Sequence, residues 1–224
     1  MVMRIGVPKE TKNHEYRVGL TPASVAELVA AGHEVWIERD AGAAIDFTDE
    51  QYRAAGGHMV ATAAAFSAEL VVKVKEPTLE ECERLEAGQV LFTYLHLAAA
   101  EPQARALMAN GCTAIAYETV ENSQGYLPLL SPMSEVAGRM SIQVGASALQ
   151  KSSGGRGTLL GGVPGVAPGK VIILGGGMAG TNAAYMACGL QADVTILDKS
   201  VDRLRFLSQE FAGRARVLMA SQEN

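Results

Sequence analysis

The chain has 224 residues, 48% of them hydrophobic, with 19 basic and 24 acidic side chains and a net charge of -5. That length suits one or two domains with cores of their own, and the acidic balance, the lack of a long basic run and an aromatic content of 5% argue against a nucleic-acid surface. Cys82, Cys112 and Cys188 lie far apart without CxxC spacing, the start carries no signal-type apolar segment, and no apolar run is long enough to span a bilayer, so a cytoplasmic protein with no membrane partner is expected.

In chain order, "RIGVP", "HEVWIE", "LVVKV", "VLFTYL" and "TAIAY" are β-rich runs that predict strands. The first crossover, "TPASVAELVAAG", predicts a helix with Thr21 as N-cap, Pro22 at the first helical position and Gly32 as the stop. Its Val25, Leu28 and Val29 form an apolar face at helical spacing. "DEQYRAAG", "AAAFSAE", "LEECERLEAG" and "EPQARALMANG" fill the later crossovers. This repeated βαβ order predicts an α/β fold with mainly parallel sheets covered by helices.

Beyond Tyr117 turn formers dominate, and a linker is expected near residues 118 to 133, followed by a helix from about Ser134 to Gln150. Met133 and Met140 read as core or linker packing. The glycine-dense "KSSGGRGTLLGGVPGVAPG" then leads into "KVIILGGGMAG". There an apolar strand, Val171 to Leu174, runs directly into a GxGxxG turn formed by Gly175, Gly177 and Gly180. In a dinucleotide-binding turn those glycines give a tight bend, close approach of pyrophosphate to backbone, and close packing of helix on strand. "TNAAYMACGL" supplies the helix whose N-terminus receives the pyrophosphate. A second strand, "DVTILD", ends at Asp198, where a carboxylate can accept from the ribose hydroxyls and repel the 2'-phosphate of NADP. NAD is therefore the expected cofactor, although Lys199 and Arg203 are nearby cations; Arg203 otherwise reads as part of a solvated helix face.

Open α/β sheets bind ligands beyond the C-terminal ends of their strands. Those ends carry Lys9, Glu10, His14, Glu15 and Arg17 after the first strand, Lys75 and Glu76 after "LVVKV", His96 after "VLFTYL", and Tyr117 with Glu118 after "TAIAY". Arg17 can hold a carboxylate in a bidentate fork or stand as a surface arginine. Lys75 ends an apolar strand, so it reads either as functional or as a buried ammonium paired with Glu76 or Glu118. His96 is suited to proton transfer near neutral pH, or to a core position bonded to backbone. The four histidines show no metal-ligand spacing, and neither a G-x-S-x-G elbow nor a P-loop is present.

With these residues assembled, the chain resembles bacterial NAD-dependent alanine dehydrogenase, within a family shared with the transhydrogenase alpha subunit. The resemblance is carried by "MRIGVPKETKNHEYRVGLTPASVAELVAAGHEV", "VKVKEP", "LFTYLHLAA", "AYETVE", "PLLSPMSEVAGRMSIQVGA", "GGRGTLLGGVPGVAP" and "VIILGGGMAGTNAAYMACGLQADVTILD". It implies a catalytic substrate domain over residues 1–130, followed over 131–224 by a linker helix and the first part of a Rossmann-like NAD domain. It further implies that Arg17 and Lys75 bind substrate, that Lys75 and His96 are catalytic, and that Ser134, Gly175, Gly177, Met178, Ala179, Gly180, Asp198 and Arg203 contact NAD. A family serine near Ala220 that touches the adenosine has Ser221 one place later here. The implied reaction is reversible oxidative deamination of L-alanine to pyruvate and ammonium, in a homo-oligomer, hexameric or dimeric.

Family members run on well beyond this length. The resemblance therefore implies a chain lacking the other half of the nucleotide domain, a catalytic aspartate and a terminal segment that returns to the first domain, and low activity for this chain alone. The alternatives are the NAD-binding part of a nicotinamide nucleotide transhydrogenase, or a non-catalytic nucleotide-binding or assembly protein.

Overall fold

The computed structural model describes residues 2–224, which fall into two compact units that divide between Leu127 and Pro128. The first unit contains β1 (Arg4–Val7), α1 (Pro22–Ala30), β2 (Glu34–Glu38), α2 (Asp49–Ala54), β3 (His58–Val60), α3 (Thr62–Phe66), β4 (Leu70–Val72), α4 (Leu79–Cys82), β5 (Val90–Thr93), α5 (Glu101–Asn110) and β6 (Thr113–Ala116). All six strands pair in parallel in the order β3-β2-β1-β4-β5-β6.

The helix boundaries follow from side-chain chemistry. Thr21 accepts from the Ser24 N–H at the start of α1, with Pro22 in the first turn, and Gly32 takes a φ of +90° just past its end. Thr48 and Gln51 close a capping box on α2, and Thr78 and Glu81 close another on α4. Two apolar clusters pack against the sheet. Val7, Val25, Val35, Ile37 and Tyr52 join α1 and α2 to the first strands, while Phe66, Val71, Cys82, Leu91 and Leu107 join the later helices to β4 and β5. The Tyr52 hydroxyl is satisfied by the Leu20 carbonyl at 2.8 Å, and burial pushes its pKa up to about 12.

The sequence showed five strands in this unit; the sixth is β3. It has only three residues, begins at His58 and pairs only with β2. So short an edge strand carries no readable alternation.

The second unit contains α6 (Ser131–Ala148), β7 (Lys170–Leu174), α7 (Met178–Gly189), β8 (Asp193–Asp198), α8 (Val201–Phe211) and β9 (Arg216–Met219). Its three strands are parallel, in the order β7-β8-β9. This is a βαβαβ run with two crossovers, one more than the single βαβ apparent in the sequence. Helix α6 begins about a turn before Ser134, because Pro132 in its first turn fixes φ and needs no N–H partner. Met140 and its neighbours Val136 and Val144, one turn to either side, are exposed rather than packed in the core. Ile142 does enter the core, with Ile173, Ala184, Val194, Ile196, Leu207 and Phe211.

Close backbone approach shapes this unit. A Cβ on Gly180 would lie 1.9 Å from the Gly175 carbonyl oxygen, and one on Gly138 would lie 2.1 Å from that of Ala179, where α6 crosses α7. Gly180→Ala is expected to lower the stability of this unit by about 1–3 kcal/mol, the usual cost of overpacking. Faster hydrogen exchange at the Ile173 and Ile196 amides, with exchange in β1 and β4 unchanged, is the measurement that checks it.

Candidate active site

In the first unit the order β3-β2-β1-β4-β5-β6 reverses direction between β1 and β4, so the chain leaves these neighbours toward opposite edges and opens a crevice at their C-terminal ends. The loop after β1 delivers Glu10, Lys12, Glu15 and Arg17; the segment after β4 delivers Lys73, Lys75 and Glu76. Glu10 joins the two. One oxygen accepts from the Val74 N–H at 2.6 Å and the Lys75 N–H at 3.3 Å, and the other lies 3.3 Å from the Lys73 ammonium. Lys73 is also 3.2 Å from Glu81, and all three side chains are buried.

The buried ammonium is therefore Lys73, two residues from the one the sequence suggested. Lys75 is half-buried and makes no ion pair within 4.0 Å among the described residues. Neither Glu76 nor Glu118 pairs with it. Sequence reasoning missed Lys73 because both lysines of "VKVK" lie on the same side of an alternating run; the three acids at Glu10, Glu76 and Glu81 do not indicate which one is enclosed.

Arg17 is half-exposed, and its fork is engaged by Glu15: Nε donates to Oε1 at 2.8 Å and Nη2 to Oε2 at 2.6 Å. The guanidinium holds the Glu15 carboxyl below its ordinary value, through this hydrogen bond first and against the opposing effect of burial. Lys75 adds a weaker pull on the same carboxyl, and on that of Glu76. Arg17 in turn acts on the phenol of Tyr94, whose ring lies 6.1 Å from that of His96. The rim thus brings Arg17, Lys75 and His96 into one electrostatic neighbourhood.

His96 follows β5 with φ +50°, a conformation uncommon for a residue with a Cβ. Glu118, just after β6, holds it there: its carboxylate accepts from the N–H groups of His96 at 2.7 Å and Leu95 at 3.0 Å. Burial raises the Glu118 pKa, but these backbone donors more than offset it, and the group stays below its ordinary value. The imidazole is about half exposed rather than in the core, with Nδ1 3.6 Å from Glu76 Oε2.

In the second unit Gly175 takes φ +96°, which permits the tight bend after β7. Gly177 is the N-cap of α7, has open space where a Cβ would stand, and supplies no side-chain cap. Gly177, Met178 and Ala179 are exposed, so the first N–H groups of α7 face outward at the positive end of the helix dipole. Asp198, at the end of β8, accepts from the N–H of Gly176 at 2.7 Å and of Ser200 at 2.8 Å. Those donors, Ser200 foremost, hold its carboxyl below the ordinary value. Asp198 also lines a cavity of about 360 Å³ with Leu174, Gly175, Leu197, Lys199 and Ala220.

Arg203 is not on a solvated face. It bonds back to the Gly176 carbonyl through Nε and to Thr181 Oγ1 at 2.7 Å, stacked 4.5 Å from the Phe206 ring. Ser134 is half-buried in the first turn of α6, and Ser221 is exposed after β9.

Residues 6–137 match the model of the alanine dehydrogenase/PNT N-terminal domain, and residues 141–224 match that of the C-terminal domain. The chain belongs to the alanine dehydrogenase/PNT family. Alanine dehydrogenase of Halomonas elongata is 53% identical over 223 residues, 99% of this chain and 60% of that protein. The Bacillus subtilis alanine dehydrogenase is 54% identical, covering 99% of this chain and 59% of the relative. A solved L-alanine dehydrogenase superposes with a TM-score of 0.92 at 55% identity, covering 98% of this chain and 61% of the other. A transhydrogenase from Sinorhizobium meliloti shares the fold at a TM-score of 0.80 and 23% identity, over 96% of this chain and 64% of that one. The chain thus spans about three fifths of the length of the alanine dehydrogenases it matches. Among the described residues no group of three or more His, Cys, Asp or Glu could hold a metal ion, and no helix is long and apolar enough to cross a membrane.

In this family member Lys73→Met leaves two buried carboxylates, Glu10 and Glu81, without their cation. A loss of about 3–5 kcal/mol is expected in urea unfolding followed by fluorescence of Trp36, the chain's single tryptophan, which lies in β2. Glu118→Gln should cost about 1.5–3 kcal/mol at neutral pH, the value of hydrogen bonds to a charged group. Because its folded pKa lies below the ordinary 4.5, Glu118 contributes in full above that pH and loses the contribution as pH falls through the folded value. The stability gap between parent and variant should therefore close on acidification.

Proposed function

We propose that the chain carries the substrate rim and the adenosine side of an NAD-dependent alanine dehydrogenase, which converts L-alanine, NAD and water reversibly to pyruvate, ammonium, NADH and a proton. The carrying observation is that Arg17, Lys75 and His96 follow β1, β4 and β5, three adjacent strands of one parallel sheet, in a chain 53% identical to alanine dehydrogenase over nearly its whole length. On this reading residues 1–130 handle the amino or oxo acid and residues 131–224 begin the dinucleotide domain. The protein is read as cytoplasmic and as a homo-oligomer.

The second unit fits NAD by its chemistry. The uncapped α7 start at Gly177, Met178 and Ala179 suits pyrophosphate. Gly175 and Gly180 keep strand and helix close, and Asp198 beside an apolar cavity wall suits an adenosine ribose without a 2'-phosphate. Ser134 and Arg203 complete the proposed set, Arg203 by bracing the Gly176 carbonyl. NAD, when bound, supplies the two-electron acceptor for the Cα hydrogen.

The chain's own groups do the rest. Arg17 holds the substrate carboxylate in the fork that Glu15 now occupies, so Glu15 has to yield it. The Lys75 ammonium, free of any ion pair within 4.0 Å among the described residues, stabilises negative charge developing on the substrate oxygen. His96 takes and returns protons as water adds and ammonia leaves.

NADH oxidation by the purified protein in the presence of pyruvate and ammonium checks the reading. Lys75→Ala and His96→Ala should each lower kcat by roughly 10²-fold or more, and Glu15→Gln should lower KM for pyruvate by freeing Arg17. Turnover unchanged by both alanine substitutions would overturn these roles. Calorimetric NAD binding with no turnover on any amino acid would favour a non-catalytic nucleotide-binding protein.

A further inference from the structure

One oxygen of the first unit has no hydrogen-bond partner where it needs one. Glu76 Oε2 has essentially no contact with solvent and accepts no hydrogen bond. The carboxylate's other oxygen is taken by the Lys12 ammonium. Burial acts to raise the Glu76 pKa, yet Lys12, a backbone N–H and the charge of Lys75 together bring it below the ordinary value, so the group is an anion at neutral pH. A buried carboxylate oxygen without a donor is costly, and such an orphan calls for a specific partner. His96 Nδ1 stands 3.6 Å from it, just beyond hydrogen-bond range, on a ring that is about half exposed. The backbone beneath that ring is fixed by the two N–H bonds to Glu118, so the ring turns on a held base.

We infer that Glu76 is a positioning residue for His96: it accepts from the Nδ1–H, sets the imidazole as the Nδ1–H tautomer, and leaves Nε2 as the nitrogen that exchanges protons with substrate. The hydrogen bond made by one ring nitrogen decides which nitrogen carries the proton, and neutral histidine free in water favours the opposite tautomer, Nε2–H. Without a fixed acceptor at Nδ1, His96 would offer Nε2 with its proton already in place and could not accept another there. Lys12 keeps the carboxylate charged and in register. Lys75 acts on it only through space, and Arg17 is committed to Glu15. The assignment of Nε2 as the working nitrogen rests on the dehydrogenase reading; the tautomer does not.

The test is therefore spectroscopic. Long-range ¹⁵N–¹H correlation spectra of the ¹⁵N-histidine-labelled protein at pH about 8.5, above the ordinary histidine range, report the tautomer of each of the 4 histidines, with His96 assigned by its loss in His96→Gln. His96 is expected mainly as Nδ1–H in the parent. Glu76→Ala should return it mainly to Nε2–H, while Glu76→Gln, which keeps a carbonyl oxygen as acceptor, should retain Nδ1–H. A parent His96 found mainly as Nε2–H overturns the inference without any variant having to fold, and so does a tautomer unmoved in Glu76→Ala. In turnover, Glu76→Ala should lower kcat by part of the roughly 10²–10⁴-fold that a positioned acid or base contributes, with KM for pyruvate little changed and Glu76→Gln intermediate. Full turnover in His96→Ala beside an Nδ1–H tautomer in the parent would sink the catalytic role of His96 and leave the Glu76 contact standing.

Discussion

At the C-terminal end of a parallel strand the chain turns out of the ladder, and its next N–H groups lose the carbonyls that would have satisfied them. In this protein a carboxylate from the neighbouring strand's end takes them over, four times. Glu38, ending β2, accepts from Lys9 after β1; Glu10, after β1, accepts from Val74 and Lys75 after β4. Glu118, after β6, accepts from Leu95 and His96 after β5, and Asp198, ending β8, accepts from Gly176 after β7. An ionised acceptor makes a stronger bond to backbone N–H than a neutral one. Each loop that bears a candidate functional group is thereby tied to the strand beside it rather than left to wander.

Glu10 is the most consequential of these ties because it spans the switch point. It could not lie buried as an anion alone, and Lys73 cancels its charge while drawing in Glu81, which at the same time closes the capping box of α4. One buried cation thus connects the β1 loop, the β4 loop and the start of α4. Lys75 is presented at the rim because the residue two before it is sequestered. In the second unit the glycine turn has the same construction in smaller form. Asp198 holds the Gly176 N–H, Arg203 holds the Gly176 carbonyl, and Thr181 Oγ1 receives Arg203 while donating to that same carbonyl.

Where the sequence pattern was periodic or carried a conformational requirement, it was legible. The helix from Pro22 to Ala30 showed its cap, its first-turn proline and its stop; the turn at Gly175, Gly177 and Gly180 showed its strand, its helix and its acid. The strands β3 and β9 were not apparent, being three and four residues long and held by one neighbour each. The polar rim was legible through a rule of topology, because ligands of open α/β sheets sit beyond the C-terminal strand ends where Arg17, Lys75 and His96 lie. The job of each polar group there was less legible. That Lys73 rather than Lys75 is enclosed, that Glu15 already fills the fork of Arg17, and that Arg203 turns inward onto the glycine turn all depend on contacts between residues distant in sequence or on a local side-chain choice that composition does not encode.

The acidic excess of the chain acquires a physical meaning from this arrangement. A rim braced by carboxylates would repel an anionic substrate if those charges were free, but most are spent. Glu10 and Glu81 share the single cation Lys73, Glu76 is paired with Lys12 and Glu15 with Arg17, and Glu118 accepts from two backbone N–H groups. Lys12, Arg17 and Lys73 are taken by these carboxylates, while Lys75, like the exposed Lys9, makes no ion pair within 4.0 Å among the described residues. On the proposed function, a small carboxylate arriving at the rim would meet the Lys75 ammonium, which has no ion pair within 4.0 Å among the described residues, and a guanidinium that it must win from Glu15. On that reading the exchange replaces one fork–carboxylate pair by another, so it trades like for like, and the binding preference would come from what else the ligand offers the proposed groups: an oxygen for Lys75 and a proton site for His96.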